Sequence, residues 1–507
     1  MSIARTWAVA LVGAEGDCVE VEADLSQQTP EFRIIGLPDK ALGEAVQRVH
    51  NACANSGTPL PRRRLTVNLS PASLPKQGSG FDVAIAVASL ATESSMDVAS
   101  VASAVHIGEL GLDGRLRPVP GVLPAVVAAR RAGHRRVVVP FANGPEAALV
   151  EGVEVLAATN LAQVVAWHGG DVEVPEDDPV TLPADDESGG PPLDLAEVIG
   201  QRDSVEALVV AAAGGHHLLM CGPPGAGKTM LARRLPGILP DLDDRAALAS
   251  ASIRSLSGSR VVELSRTPPF EAPHHSASVA ALVGGGTRIV RPGAIARASE
   301  GVLFLDEAGE FSASALDALR QPLEAGAITI HRANAYAEYP ARFQLVLATN
   351  PCPCGDYGIR GGTCTCPPSA IRRYLGRLSG PLLDRMDIEL TLTRVAVAQR
   401  GVGPTLSTAT ARARVAEARS RARHRLAETP WTVNAEVPGT WLREGPSAPT
   451  AVVRRPLDAA LHRGALTLRG YDRVLRVAWS LADLEGTGRL GTEHVGRALY
   501  LKKGIAL

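Results

Sequence analysis

The chain has 507 residues, of which 45% are apolar, and its formal net charge is −1. This length exceeds what one hydrophobic core supports, so about three domains are expected. The balanced charge excludes a generally basic nucleic-acid-binding composition, and any such surface must be local. The sequence has neither an apolar run of the roughly 18 residues that a membrane helix needs nor a secretory leader. We therefore expect a cytoplasmic protein without a membrane partner.

The first 170 residues alternate between strand-like and helix-like segments. Residues 18–23 and 64–69 alternate apolar and polar side chains, which is typical of strands. Residues 39–56 and 82–91 have the apolar spacing of helices. These patterns predict an α+β domain over residues 1–170.

The composition changes abruptly at residue 171. Residues 171–192 contain eight acidic side chains, several prolines and neither Lys nor Arg. Such a segment buries too little apolar surface to fold alone, so we expect an acidic disordered linker. Beyond it, the pattern predicts one domain over 193–394 and another over 395–507.

A phosphate-binding motif follows a short apolar run at residues 217–221. Residues 222–229 fit G-x-x-x-x-G-K-[ST], and a helical pattern follows them. The backbone N–H groups of such a loop and the N-terminus of the next helix face nucleotide phosphates. We expect Lys228 to reach the β and γ phosphates of ATP and Thr229 to bind Mg²⁺. The residues expected to bind the nucleotide are Gly222, Pro223, Pro224, Gly225, Ala226, Gly227, Lys228, Thr229 and Asp306.

Two further apolar segments end in polar side chains that suit the same site. One ends in Asp306 and Glu307, and the other ends in Asn350. We expect Asp306 to bind Mg²⁺ and Glu307 to orient and deprotonate the attacking water. Asn350 is expected to hold that water or to sense the γ phosphate. Together with the phosphate loop, these residues predict a parallel-sheet ATPase domain.

The order of these motifs, followed by Leu-Asp-Arg-Met-Asp at 383–387, resembles AAA+ ATPases of the clade that contains magnesium chelatase subunits and MCM helicases. In that clade the arginine of the last motif completes a neighbour's active site. The resemblance therefore implies that Arg385 is a trans-acting finger and that the protein forms a ring. A structural ion pair is the alternative for Arg385. Residues 467–477 are similar to the lid motif in which an arginine contacts the γ phosphate, which implies Arg469, with Arg473 as the second choice.

Lys228 and Asp306 are 78 residues apart, which is more than a simple crossover between strands needs. The resemblance implies that the excess is an insertion that projects toward the pore of the ring. His274 and His275 lie in this region, where we expect a loop role rather than a metal site.

A second addition is expected before the strand that ends in Asn350. Residues 324–339 alternate like a hairpin, at the place where the clade has a hairpin that often grips DNA. Arg332 is the candidate phosphate contact, and His331 is a secondary one.

Four of the seven cysteines cluster around one turn-rich loop. Four thiolates can surround Zn²⁺ tetrahedrally, although C-x-C spacing is tighter than the usual C-x₂-C. A redox-sensitive loop and simple packing are the alternatives to zinc. These cysteines are Cys352, Cys354, Cys364 and Cys366.

The C-terminal region begins with a basic segment. Residues 411–425 carry six arginines and one glutamate, which is typical of either a solvated basic helix or a nucleic-acid surface. Residues 459–466, 471–484 and 492–502 then predict helices. The resemblance makes this region the helical lid of an AAA+ module.

The front domain resembles the proteolytic domain of Lon-type proteases through residues 106–121 and 128–140. In this alignment the nucleophile position falls on Gly80 and the lysine position on Leu123. Neither residue can attack a carbonyl or relay a proton, so we expect a non-proteolytic docking or assembly module.

Taken whole, the sequence is identified as a member of the ComM/YifB family of magnesium-chelatase-like AAA+ ATPases. The resemblance implies a homo-hexameric motor that acts on single-stranded or branched DNA and promotes branch migration during recombination of incoming DNA, with recombination proteins as further partners. The alternative is a chaperone-type ATPase that remodels a protein or drives metal insertion into a tetrapyrrole. The implied cofactors are ATP and Mg²⁺, with zinc at the cysteines left open.

Overall fold

Two buried β-sheets, one in each half of the chain, organise the structure. The computed structural model describes residues 2–36, 40–76, 78–181, 193–286, 290–332, 335–358, 362–394 and 406–503. The first sheet belongs to an α+β front domain, and the second belongs to an α/β module on which a helical lid packs. The expected fold class is confirmed.

The front domain is built on a seven-stranded mixed sheet. Strand β2 pairs antiparallel with both β1 and β4. On the other side of β1, the pairs β1–β5, β5–β8 and β8–β9 are parallel. Helix α2 lies at the centre with all nine residues buried. The strands are β1 (Ser2–Val12), β2 (Glu15–Ser26), β3 (Glu31–Ile35), β4 (Arg64–Ser70), β5 (Ala104–His106), β6 (Glu109–Leu110), β7 (Leu116–Arg117), β8 (Arg136–Pro140) and β9 (Glu154–Ala158). The helices are α1 (Lys40–Asn55), α2 (Asp82–Leu90), α3 (Val98–Ser103), α4 (Val122–Arg131), α5 (Gly144–Ala147) and α6 (Leu161–Trp167).

The module contains a five-stranded parallel sheet in the order β11-β14-β17-β10-β18. The central strands β14 and β17 are buried along their whole length, as expected where helices cover both faces of a parallel sheet. The strands are β10 (Leu218–Cys221), β11 (Phe270–Glu271), β12 (Gly284–Gly285), β13 (Arg291–Pro292), β14 (Val302–Leu305), β15 (Ala327–Arg332), β16 (Ala335–Pro340), β17 (Gln344–Thr349) and β18 (Ile388–Thr391). The helices are α7 (Arg202–Gly214), α8 (Lys228–Ile238), α9 (Asp244–Ser257), α10 (Val279–Val283), α11 (Ala294–Arg297), α12 (Ala313–Asp317), α13 (Arg320–Ala325), α14 (Pro368–Leu375) and α15 (Gly380–Leu383).

Both expected additions to the module are present. The segment between β11 and β14 holds α10, the short β12–β13 pair and α11. Strands β15 and β16 form an antiparallel hairpin. The hairpin begins at residue 327 rather than 324, because Gly326 ends helix α13 in the left-handed conformation.

The lid consists of five helices that share one core with the sheet. Val474 and Trp479 of the lid belong to the same apolar cluster as Val346 of β17. The helices are α16 (Thr408–Arg425), α17 (Gly439–Glu444), α18 (Ala451–His462), α19 (Leu468–Glu485) and α20 (Thr492–Lys503). Helix α18 starts eight residues before the expected 459 and contains Pro456. None of the helices in the described ranges is long and apolar enough to cross a membrane.

Several arginines of helix α16, which is the predicted basic segment, contact other parts of the chain. Arg414 forms two hydrogen bonds of 3.0 Å with Glu206 of α7, and Arg419 donates to the Ala212 carbonyl oxygen at 2.8 Å. Arg425 pairs with Asp483 of α19 at 2.6 Å. Arg414 and Arg419 therefore join the lid to the module, whereas Arg425 joins two helices of the lid.

The front domain packs on helix α9 and on the β15–β16 hairpin. Gly121 N–H donates to the Ser255 carbonyl oxygen at 3.0 Å, and Leu123 N–H donates to the Ser255 hydroxyl at 3.3 Å. Ala14 N–H donates to the Glu338 carbonyl oxygen of β16 at 3.3 Å. Leu123, at the aligned position of the Lon lysine, is fully buried near this interface.

Part of the predicted linker is attached to the front domain. Residues 171–181 form neither helix nor strand. Asn160 nevertheless donates to the Pro175 carbonyl oxygen at 3.2 Å and to Asp177 at 2.9 Å. The rest of the predicted linker, residues 182–192, lies outside the described residues.

Candidate nucleotide-binding site

The phosphate loop connects β10, at the interior of the parallel sheet, to helix α8. Gly225 and Gly227 adopt positive φ values of 77° and 85°, which side-chain-bearing residues rarely adopt. Gln201 donates to the Ala226 carbonyl oxygen at 2.6 Å and fixes the loop from outside. The loop therefore lies at the carboxyl edge of the sheet, where parallel α/β folds bind ligands.

Lys228 is buried within this loop. Its Nζ donates to the carbonyl oxygens of Gly222 at 2.6 Å and Pro223 at 3.0 Å, and to Asn350 Oδ1 at 2.9 Å. Burial lowers the pKa of Lys228, and the nearby carboxylates of Asp306 and Glu307 oppose this shift. A buried ammonium held by neutral oxygens in a loop of N–H groups suits the charge of a triphosphate.

Thr229 and Asp306 meet at the edge of the sheet. The Thr229 hydroxyl donates to Asp306 Oδ2 at 2.6 Å, although the two residues are 77 positions apart. A hydroxyl beside a carboxylate is an oxygen donor set that suits Mg²⁺. These residues would hold the ion, whose charge neutralises that of the phosphates.

Glu307 follows directly and adopts an unusual backbone conformation. Its φ is 52°, and its N–H donates to Asp306 Oδ1 at 2.9 Å. Its Oε2 lies 3.1 Å from Nδ1 of His275, which comes from the insertion after β11. The carboxylate is half exposed, which leaves it accessible to a reacting water.

Asn350 links the lysine to the cysteine loop that begins two residues later. The turn at Gly355 packs directly on Pro224 of the phosphate loop, because a Cβ built on Gly355 would lie 2.3 Å from Pro224 Cδ. Arg394 donates to the Pro224 carbonyl oxygen at 3.2 Å. The cysteine loop therefore braces the phosphate loop.

The four cysteines converge in space. Their Sγ atoms all lie within 4.8 Å of one another. The Sγ of Cys352 is 3.3 Å from that of Cys354 and 3.7 Å from that of Cys364. Four sulfurs placed tetrahedrally about 2.3 Å from zinc are about 3.8 Å apart, so this arrangement fits the ion.

The two arginines expected to contact phosphate lie near each other. Arg385 pairs with Glu324 of α13 and donates to the Pro381 carbonyl oxygen. Burial and the guanidinium groups of Arg320, Arg473 and Arg469 lower the pKa of Arg385. Arg469 is exposed near the start of α19. Neither Glu324 nor Pro381 belongs to the phosphate loop.

Arg473, the second choice for the lid arginine, has a structural contact. It donates to the buried carboxylate of Asp387 at 2.7 Å. Burial alone would raise the pKa of Asp387, but Arg473, together with His216 and His217, holds it well below the ordinary value. This ion pair joins the lid to the motif that carries Arg385.

The candidate DNA contacts lie at the end of the β15–β16 hairpin. His331 is exposed, and its ring centroid is 5.3 Å from that of Tyr336 on the paired strand. Tyr336 is 49% exposed, whereas Tyr339 nearer the base is buried. Arg332 ends β15, and its side chain lies outside the described residues.

Three residues at the site were not predicted as functional. Gln201 contacts the phosphate loop, His275 contacts Glu307, and Glu324 contacts Arg385. The paired histidines at 274 and 275 are a local signal in the sequence. The sequence contains no local signal for the contacts of Gln201 and Glu324, which depend on the tertiary fold.

Fold and site together define a P-loop AAA+ module. Three family models match the chain and cover most of it. "Magnesium chelatase, subunit ChlI" matches residues 194–400, "Subunit ChlI of Mg-chelatase" matches 21–143, and "Magnesium chelatase, subunit ChlI C-terminal" matches 405–502.

Several relatives are similar over nearly the whole chain. An uncharacterized protein of Mycobacterium tuberculosis is 47% identical over 99% of both chains. The competence protein ComM of Haemophilus influenzae is 41% identical over 100% of this chain and 99% of its own. YifB of Escherichia coli is 39% identical over 98% of this chain and 97% of its own. The chain belongs to the ComM/YifB family of magnesium-chelatase-like AAA+ proteins.

Proposed function

We propose that this protein is a Mg-ATP-dependent ring motor that acts on DNA in the cytoplasm and drives branch migration during recombination of incoming DNA. The observation that carries the ATPase part is the convergence of Lys228, Asn350, Thr229 and Asp306 at one edge of the parallel sheet. Glu307 lies beside this group and is accessible to water. This arrangement supports hydrolysis of the γ phosphate.

Each side chain has a separate proposed role in hydrolysis. Lys228 and the N–H groups of the loop bind the triphosphate, and Thr229 and Asp306 hold Mg²⁺. Glu307 accepts a proton from the attacking water, and Asn350 positions that water or the γ phosphate. No side chain forms a covalent intermediate in this scheme.

A homo-hexameric ring is proposed from the placement of the arginines. Arg385 pairs with Glu324 rather than with the phosphate loop of its own chain. Head-to-tail packing would supply the Arg385 guanidinium to the next subunit, and such contacts close into a ring.

DNA is proposed as the substrate because the module carries an exposed hairpin that the front domain contacts at its base. His331 and Tyr336 present rings there that can stack on bases. Arg332 is the proposed phosphate contact. The similarity to a competence protein supports DNA taken up from outside, with recombination proteins as partners.

A four-way-junction assay tests this function. We expect the wild-type protein with Mg-ATP to convert a synthetic mobile junction into forked duplexes, and Glu307→Gln to leave it intact. A junction with non-homologous arms, which cannot migrate, serves as the control. Absence of junction conversion under conditions of ATP turnover would contradict the branch-migration proposal.

We also propose that Cys352, Cys354, Cys364 and Cys366 bind one zinc ion, because their sulfur positions fit its tetrahedral geometry. The ion would have a structural role, since four protein ligands leave no open position. By fixing the cysteine loop against Pro224, the zinc ion would keep the phosphate loop in a constant position relative to Asn350.

A chaperone-type ATPase is the second candidate function. The family models named for magnesium chelatase favour it, because they cover both the module and the front domain. ATP turnover that responds to a protein or tetrapyrrole client but not to DNA would support this candidate instead.

A further inference from the structure

Arg385, which is proposed to act on the ATP of a neighbouring subunit, is paired with a carboxylate of its own subunit in this structure. Arg385 pairs with Glu324, and the side chain of Arg385 is only 10% exposed, whereas that of Glu324 is 65% exposed. A second donor of Arg385 is occupied by the Pro381 carbonyl oxygen. A carboxylate of its own chain therefore competes with any phosphate of another chain for this guanidinium.

Glu324 is attached directly to the hairpin proposed to contact DNA. It is the penultimate residue of α13, and Gly326 then turns the chain into β15. The Ala341 N–H donates to the Gly326 carbonyl oxygen at 2.9 Å and closes the base of the hairpin. Displacement of the hairpin would therefore move Glu324 relative to Arg385, which is carried by a different segment after α15.

The charges around Arg385 favour its departure once Glu324 moves. Arg320 lies one helical turn before Glu324 on α13, and Arg469 and Arg473 of the lid are also near. Arg473 has its own buried partner in Asp387. Loss of the Glu324 carboxylate would leave Arg385 among like charges, which repel it toward solvent or a neighbour's phosphates.

We propose that Glu324 is a positioning residue that holds Arg385 away from the neighbouring ATP site and releases it when the hairpin moves. This inference rests on the proposed trans role of Arg385. It connects the DNA-binding element of one subunit to ATP hydrolysis in the next. Hydrolysis around the ring would then follow hairpin contacts rather than proceed independently at each site.

Mixed rings test the proposal by placing one substitution on either side of the interface. Lys228→Ala subunits supply a finger but no ATP site, and Arg385→Ala subunits supply an ATP site but no finger. A mixture of the two should recover ATP hydrolysis without DNA. Adding Glu324→Ala to the Lys228→Ala subunit should raise the recovered kcat about two- to fivefold, the range expected for loss of one partly exposed ion pair.

The same substitution in the other subunit is the matched control. Glu324→Ala in the Arg385→Ala subunit should change nothing, because that subunit has no finger to hold. Asp317→Ala, which removes an exposed carboxylate 4.0 Å from Arg320, should also have no effect in either subunit. Glu324→Gln keeps the size of the side chain and should behave like Glu324→Ala.

The possible outcomes distinguish a failure of this inference from a failure of the proposed trans role on which it rests. If the mixture of Lys228→Ala and Arg385→Ala subunits recovers no ATP hydrolysis in any ratio, either without or with DNA, the trans role of Arg385 is wrong, and this inference is wrong with it. If activity is recovered but Glu324→Ala and Glu324→Gln leave it unchanged or lower it, only the role of Glu324 is wrong. Equal effects in both subunits would show a general structural change and would also contradict the proposal.

Discussion

The imidazole Nδ1 of His275 lies 3.1 Å from Oε2 of Glu307, so a residue of the insertion contacts the proposed catalytic base. His274 stacks on His275 with ring centroids 4.0 Å apart, but its own Nδ1 bonds to Ser276. The two adjacent histidines therefore differ in their contacts. His275 contacts the half-exposed Glu307 carboxylate, whereas His274 bonds within its own loop.

His275→Ala should lower kcat for ATP hydrolysis about tenfold, because the freed carboxylate no longer stays aligned with the water. The KM for ATP should not change, since the phosphate loop is untouched. His274→Ala is the matched control and should retain most of the rate. Steady-state kinetics on both variants check this, and equal rates for the two would refute the orienting role of His275.

Glu307→Gln should bind ATP with unchanged affinity and lose at least about a hundredfold in turnover, because an amide cannot take the proton of the water. Glu310→Gln is a suitable control, since Glu310 pairs with Arg377 and is outside the proposed chemistry. Binding of a fluorescent ATP analogue and phosphate release measure the two effects. Near-normal phosphate release by Glu307→Gln would exclude Glu307 as the base.

The purified protein should contain about one zinc ion per chain, and replacing both Cys364 and Cys366 by Ser should remove it. The variant should also have a higher KM for ATP, because Gly355 of the cysteine loop packs on Pro224. Cys18→Ser, in the front domain, is the control and should retain the metal. Elemental analysis of the purified proteins measures the zinc content per chain. Wild-type protein that contains no zinc after growth in zinc-supplemented medium would rule out the site.

Acid should weaken the front domain through a buried histidine pair. Nε2 of His106 lies 2.9 Å from Nε2 of His168. Burial and Arg136 lower the pKa of His168 from 6.5 to about 4, opposed by Asp97, and burial holds that of His106 well below its ordinary value. Between about pH 4 and pH 6.5 the unfolded chain therefore binds more protons than the folded chain. The free energy of unfolding should decrease as the pH drops from about 6.5 toward 4.

Hydrogen-exchange protection of α6 amides, measured at about pH 7.5 and pH 5, tests this expectation. His168→Asn should reduce the difference between the two pH values, even if it lowers protection at both. His462→Asn changes an exposed histidine and should retain the wild-type difference. An unchanged pH difference in His168→Asn would show that the pair does not control acid stability.

The sequence indicates which residues meet at the edge of the parallel sheet, because its signals there are local. The phosphate loop and the apolar runs before Asp306 and Asn350 each carry their own pattern, and a parallel sheet brings their ends together. For the basic segment at 411–425 the contacts are distant in sequence. Charge alone does not reveal that Arg414 pairs with Glu206 and that Arg425 pairs with Asp483.

The contacts of His275 and Glu324 could not be derived from spacing either. Each depends on the fold, which places residues 32 and 61 positions apart in contact. Similarly, the tight packing of Gly355 on Pro224 follows from the path of the cysteine loop. Such tertiary contacts depend on the whole fold, whereas local motifs can be recognised from spacing alone.

The central claim is that ATP hydrolysis by this chain is coupled to DNA. The most direct measurement is steady-state ATP hydrolysis without DNA, with single-stranded DNA and with a four-way junction, using Glu307→Gln as the blank. We predict stimulation of about fivefold or more that weakens as salt rises, because phosphate contacts release counterions. A rate that DNA leaves unchanged at low salt would contradict the account.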